Sequence, residues 1–462
     1  LTLINKLQFE LHCPDEALAL DLRHNFALTF QEQIVEAVER VCAQYAGEDT
    51  WLRINKLEID LGRFSPHSFS TQFSAVFLQK FEQAFREQLA GITPAQRHQQ
   101  QQLSAMEMLQ HFLLKGTLPW WAEQSSTPPA TVCAGLLQEQ PQALRHFLDA
   151  HRFHPQLWRR IALQLDITLK AQVLALFPAL EKASAQWREW QALLAAQMPL
   201  PPAGALPGQV ITQVLAQAPA LLKSGAGKAE TWQAFIHSLP EIYTIPPEQV
   251  AHMQALLPQL AVGQGIAAAP AGNKTAQKPP ALPVELLQTA YSEETAAEKH
   301  AVRQAGLVLL AAFFRPFFMK LELWDGVQWT SPAARHKAVH LLHYLCTGQQ
   351  LVPEYSLVLE KILCGLPPEE AIPLEMPLTG TETAEAQELL LSVIAHWKML
   401  KNTSVNGLRD TFLRRDGLLT RQQDGWRLQV EQKTLDVLLD SIPWGYSTIS
   451  LPWNSYLVFV EW

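Results

Sequence analysis

The sequence predicts a mainly α protein with small α+β elements: an N-terminal strand-helix-strand unit, a helical middle and a mixed α/β C-terminal domain. Three observations carry this fold class. Apolar residues recur every three or four positions from Leu18 to Val41 and from Phe69 to Phe85, the spacing of a helix that buries one face. From residue 134 to 260 short apolar runs are punctuated by proline, which starts helices readily and interrupts them elsewhere. Near the C-terminus the period becomes two, around Asp424-Gly425 and again over Leu457-Val458-Phe459-Val460, as half-buried strands require.

Taken in order, Leu7, Phe9 and Leu11 alternate with Lys6, Gln8 and Glu10 and read as a strand rather than a targeting leader. Pro14-Asp15 opens a helix carrying Leu18, Leu22, Phe26, Phe30, Ile34, Val38 and Val41 on one side. Leu57, Ile59 and Leu61 form a second alternation closed by Gly62. Phe69, Phe73, Phe77, Phe81 and Phe85 then recur at a spacing of four, which drifts by about 40° per step on a helix, and are expected to be a core stripe rather than a ligand groove. Gly116, ahead of Pro119, supplies a helix stop, and Trp120-Trp121 follow it as a packed lid. These elements make up a first domain, 1–122.

The second region, 123–261, reads as short helices over 136–148, 155–165, 169–176, 210–222, 232–239 and 249–256. The fragments LLQEQPQALRHFL and VLAQAPALLKS share an order of apolar pair, Gln, Pro and Ala-Leu, a hint of repeated helical pairs. Residues 262–283 are mostly Ala, Gly, Pro, Lys and Gln, cannot build a core, and read as a flexible linker. The last domain, 284–462, is helical to about Leu400. There follows a hairpin in which Trp426, Leu428 and Val430 share one face.

Lys and Arg total 36 against 44 Asp and Glu, a net charge of −8 without a basic block, so binding to nucleic acid by phosphate neutralisation is not expected. The longest apolar run, Ala305 to Phe314, is half the ~20 residues a bilayer span needs, so no membrane partner is expected either. Five scattered cysteines, Cys13, Cys42, Cys133, Cys346 and Cys364, fit reduced thiols. Ser224-Gly225-Ala226-Gly227-Lys228 lacks the first glycine and the final hydroxyl of a phosphate loop. Gly445-Tyr446-Ser447 lacks the second glycine of a nucleophile elbow. His336, His340 and His343 fall on one helical face with Cys346 a turn further on, which zinc could use. The interleaved Leu341, Leu342 and Leu345 favour a half-buried structural face, and we expect no metal, no cofactor and no enzyme.

The chain ends on Trp444-Gly445-Tyr446-Ser447-Thr448-Ile449, Leu451-Pro452-Trp453 and Val460-Glu461-Trp462, an aromatic tail that must be buried. This pattern resembles the end of the tape-measure proteins of phage-tail-like contractile injection systems. Ala305 to Leu310 with Phe313 and Phe314, His340 to Leu345 with Thr347-Gly348, Leu400 to Ser404 with Gly407-Leu408-Arg409, and the LLKGTLPWW segment from Leu113 to Trp121 match that family in the same order. The resemblance implies a structural assembly protein that sets inner tube and sheath length. Its implied partners are inner tube and baseplate or hub proteins, with self-association allowed. It implies a bacterial cytoplasmic location during assembly and, after that, the released particle. Trp120, Trp121, Trp444, Trp453 and Trp462 are the expected interface residues, the two ends dock, and the middle is the length-variable portion. The other reading is a soluble helical scaffold or assembly chaperone that never enters the tube.

Overall fold

A computed structural model describes residues 31–45, 56–65, 69–91, 94–119, 121–122, 127–195, 206–224, 298–400 and 403–462, with a few single positions between them. Leu7, Phe9, Leu11, the helix positions Leu18 to Phe30, Trp120, most of 225–260 and the whole of 262–283 lie outside the described residues. The chain divides into two compact units, 1–109 with 124–127, and 110–123 with 128–462.

In the first unit, α1 (Gln31–Tyr45) packs on α2 (Phe69–Gly91). Ile34, Val38 and Val41 are buried with all five phenylalanines of the stripe. Successive rings from Phe69 to Phe85 lie 5.2 to 6.0 Å apart, so the spacing of four is a core stripe. Leu57, Ile59 and Leu61 are half-buried against this core while Glu58 and Asp60 are exposed. The alternation is therefore real, although residues 56–65 carry no ladder among the described residues. The division between the units falls within α3 (Pro94–Lys115).

In the second unit a tract of helices follows Pro128: α4 (Pro129–Glu139), α5 (Pro141–Ala150), α6 (Pro155–Gln164), α7 (Ile167–Ala175), α8 (Pro178–Ala195), α9 (Leu206–Ala216) and α10 (Ala218–Ser224). Two helices expected as continuous are each broken by one residue. The run 136–148 parts at Gln140, and 210–222 parts at Gln217, because Pro141 and Pro219 lack the N–H that a helix interior needs but suit its first turn. The two fragments with the shared Gln-Pro order thus both fold as helix, break, helix. α8 was not legible as a helix in the sequence. Trp158, Ile161, Trp187, Val214 and Leu221 are fully buried in this tract, with Trp158 edge-on to Phe177 at 5.4 Å.

Residues 298–462 build their own core around a sheet ordered β1-β2-β3-β5-β4: β1 (Lys299–Val302), β2 (Gly417–Gln422), β3 (Gly425–Val430), β4 (Thr448–Ile449) and β5 (Leu457–Glu461). The hairpin pairs Gly417 with Val430 and Gln422 with Gly425, so its two-residue loop is Gln423-Asp424, one position earlier than the Asp-Gly signal suggests. Gly425, at φ +153°, is needed because a Cβ there would overlap the backbone of Leu457 on the adjoining β5. Trp426, Leu428 and Val430 face the core together.

The helices of this half are α11 (Ala311–Lys320), α12 (Pro332–Thr347), α13 (Val358–Leu363), α14 (Gly380–His396) and α15 (Val405–Leu408), with a 3-10 segment at Ala305–Leu310 and a π turn at Arg409–Leu413. α12 starts on a Ser331 side chain that accepts from the Ala334 N–H and ends on Gly348 in the left-handed region. α14 starts on a reciprocal Thr379–Glu382 capping box. No described helix is long and apolar enough to cross a membrane.

The four C-terminal segments singled out in the sequence meet in this core. Arg409 donates to the carbonyls of Leu345 and Tyr344, and Arg414 to those of Cys346 and Thr347. Two guanidiniums thus satisfy the open end of α12, where cations are favoured. Gly306 touches the Phe412 carbonyl so closely that any Cβ would collide with it, and Ala305 donates its N–H to the Arg415 carbonyl at 2.9 Å.

Candidate functional site

Charged residues with no exposed surface sit where three segments of the second unit converge. Arg160 on α6, and Glu354 and Lys361 from the C-terminal half, all have 0 % side-chain exposure. Arg160 Nε donates to both Glu354 carboxylate oxygens at 3.0 Å, and Lys361 Nζ donates to Glu354 Oε1 at 2.7 Å. Two cations share one anion, and the remaining donors go to carbonyls: Arg160 to Leu113 and Glu369, Lys361 to Pro368. Burial pushes the Lys361 amine below its ordinary pKa, partly offset by Glu354. Buried charges are tolerated only when paired and hydrogen-bonded in this way.

Gly116, from the LLKG segment at the end of α3, completes the site. It lies at φ +76°, and a Cβ there would sit 2.5 Å from Glu354 Oε1 and 2.7 Å from Arg160 Nη2. The helix stop expected at this glycine is present, with Gly116 N–H donating to Phe112 O at 2.8 Å, and its second role is to leave room for the ion pair. Beside the charges lie the Phe112 ring, 5.8 Å from the Arg160 guanidinium carbon, and further polar contacts along the seam. Gln164 donates to the Ile372 carbonyl and accepts from the Glu354 N–H. Gln156 bridges Glu370 and the Ala371 N–H, and Leu374 N–H donates to Leu163 O at 3.2 Å. None of Arg160, Glu354 or Lys361 was picked out in the sequence. The available signal was a charge inside an apolar run, as in Leu357-Val358-Leu359-Glu360-Lys361-Ile362-Leu363.

The three α12 histidines do not converge. His336 Nε2 is 3.9 Å from Glu370 Oε1, His340 Nε2 is 2.9 Å from Pro373 O, and His343 Nδ1 is 3.3 Å from Glu360 Oε1. Burial pushes His336 and His340 down to about 4, so both are neutral at pH 7. Cys346 and Cys364 are buried thiols whose pKa burial raises. Among the described residues no group of three or more His, Cys, Asp or Glu side chains could hold a metal ion.

The aromatic tail packs on the core of its own chain. Trp444 Nε1 donates to Leu309 O at 2.8 Å, with its ring edge-on to Phe313 at 5.0 Å. Trp462 Nε1 donates to Asp436 Oδ2 at 2.9 Å. Trp453 lies 5.1 to 5.5 Å from Trp324, Trp329 and Phe318, and its Nε1 donates to Leu363 O at 2.8 Å. Asn454 takes Ile362 O, and Arg335 takes the carbonyls of Cys364 and Gly365. The tail therefore closes the end of α13, the six-residue buried helix that carries Lys361 into the ionic site. Trp121 is half-buried in the turn after Pro119, and Trp120 lies outside the described residues.

No curated protein and no solved structure matches the chain. The family described as contractile injection system tape measure protein matches residues 2–462. The four C-terminal segments that resemble this family all contribute to the core, and Gly116 of the LLKG segment leaves room for the ion pair. With the match spanning the chain, the protein belongs to the contractile injection system tape measure family.

Proposed function

We propose that the chain sets the length to which inner tube and sheath polymerise, docking by its ends, roughly 1–122 and 300–462, on inner tube and baseplate or hub proteins. A family member of this kind is a structural component that works with the other parts of a contractile injection system, not an enzyme. The observation that carries the reading is the family match across residues 2–462. A ruler must convert residues into length, at about 1.5 Å per residue if helical and about 3.3 Å if extended. The middle region, 123–261, is the part proposed to do so, and Trp120, Trp121, Trp444, Trp453 and Trp462 are proposed to shape the docking ends. Assembly in the bacterial cytoplasm, with retention in the released particle, follows from this role.

A second reading has its own support. The described helices of 129–224 fold on one another rather than as one rod, which suits a scaffold or assembly chaperone that stays outside the tube. Particle length, read by electron microscopy, separates the two. Deleting about 60 residues between 140 and 260 is expected to shorten particles by about 90 Å if that segment is helical in place and by about 200 Å if extended. Adding residues within 225–260, inside the same region, should lengthen them at a comparable slope. Intact particles of unchanged length from both variants would leave the scaffold reading.

A further inference from the structure

We propose that the Arg160–Glu354–Lys361 site is a separable joint, at which the helical tract 129–224 parts from the C-terminal core while each keeps its fold. The division of apolar burial is the first support. Among the described residues, the hydrophobic core of the C-terminal half runs from Val302 to Val460 and draws no member from the tract. The tract buries its own set, including Leu157, Trp158, Ile161, Val214 and Leu215. Parting the two need not tear a shared apolar core, which is the costly event in unfolding.

The chemistry of the seam is the second support. The contacts described above between α6 and residues 354–374 are ionic or hydrogen-bonded: Arg160 to Glu354 and the Glu369 carbonyl, Gln164 to the Ile372 carbonyl, Gln156 to Glu370 and the Ala371 N–H. Groups of this kind regain water when exposed, whereas apolar side chains do not. A buried ion pair contributes little stability beyond a hydrophobic replacement, and in some proteins it fixes one register, the role proposed for it at this seam. Such a seam closes in one way and opens as a step. The use of the joint in a particle rests on the ruler reading, because a tract that separates whole can be paid out from a docked C-terminal core. The joint itself does not depend on that reading.

Hydrogen exchange of the purified full chain tests it. The slowest amides of the tract, at Ile161 and Leu215, are expected to exchange through an opening that leaves the strand amides at Leu419, Leu428 and Val458 protected, at rates at least about ten-fold faster than those strands. Glu354→Gln should speed the first group by a further factor of about ten and leave the second within about two-fold. The triple change Arg160→Met, Glu354→Leu and Lys361→Met replaces the ions by apolar groups and should slow the first group. A single opening shared by both groups in the unaltered chain overturns the joint, even if Glu354→Gln fails to fold. So does an equal shift of both groups in either variant. Particle length does not enter, so the ruler and the joint stand or fall separately.

Discussion

Arg160 uses its guanidinium as a fork, taking both oxygens of Glu354 and the carbonyls of Leu113 and Glu369, a geometry that a lysine cannot reproduce. The neighbouring histidines are under the opposite constraint, since they are buried as neutral groups. His336 faces Glu370 from the opposite segment, with Arg159, Arg335, Lys361 and His340 also acting on it. His340 faces the Pro373 carbonyl and His343, and His111 lies near Lys115 and His300. All three are held at about 4, chiefly by burial, against an ordinary value of 6.5. Below pH 6.5 the unfolded chain takes up protons that the folded chain refuses. Their contribution is complete above 6.5 and is lost as pH falls toward 4, at about 1.4 kcal/mol per histidine per pH unit. Tm measured between pH 7.5 and 5 should therefore fall steeply below 6.5, and His340→Gln should flatten that slope. An unchanged Tm across the range would show that these groups titrate normally.

α13 shows how an element too short to hold itself is held by others. Its six residues are all buried, so its open carbonyls must find donors inside the protein. Trp453, Asn454 and Arg335 supply them. Trp453→Phe keeps most of the ring packing but leaves the Leu363 carbonyl unpaired, and should cost about 1–3 kcal/mol. Trp453→Ala also opens a cavity beside Trp324, Trp329 and Phe318 and should cost about 3–5 kcal/mol. Denaturant melts of the two variants check the order: equal losses would mean that the ring packing contributes nothing beyond the indole N–H, and no loss from Trp453→Phe would mean that the N–H contributes nothing. Elements with a period were legible in the sequence: the phenylalanine stripe, the hairpin and the helix started by Pro155 follow from local spacing, whereas α8, also started by a proline, was not legible. α13 and the 3-10 segment at Ala305–Leu310 were not, because a fully buried segment is apolar on every side and carries no period. The ionic site was hidden for a related reason. Arg160, Glu354 and Lys361 are brought together across 194 residues by tertiary packing, and each alone looks like a surface charge. The parallel β3–β5 pairing has no local turn signal for the same cause.

For the chain in its particle, the location of the tail tryptophans decides what a substitution there can mean. Trp444 holds the 3-10 segment through Leu309 and Trp453 holds α13 through Leu363, so both act on the C-terminal half by fixing its fold. If that half docks on the tube or baseplate, loss of either indole removes the docking face along with the core beneath it. Trp444→Ala and Trp453→Ala are accordingly expected to abolish assembly, while short in-frame changes within 262–283, a segment whose composition can build no core, leave particles forming. Trp453→Phe, which keeps the packing, should retain assembly in proportion to the folded fraction measured for the purified chain. Particle yield by electron microscopy, set against that folded fraction, reads all of these together. Normal particles from both alanine variants would remove the docking role of the C-terminal half. Yield lost from Trp453→Phe while the chain stays fully folded would instead mean that the indole itself meets a partner.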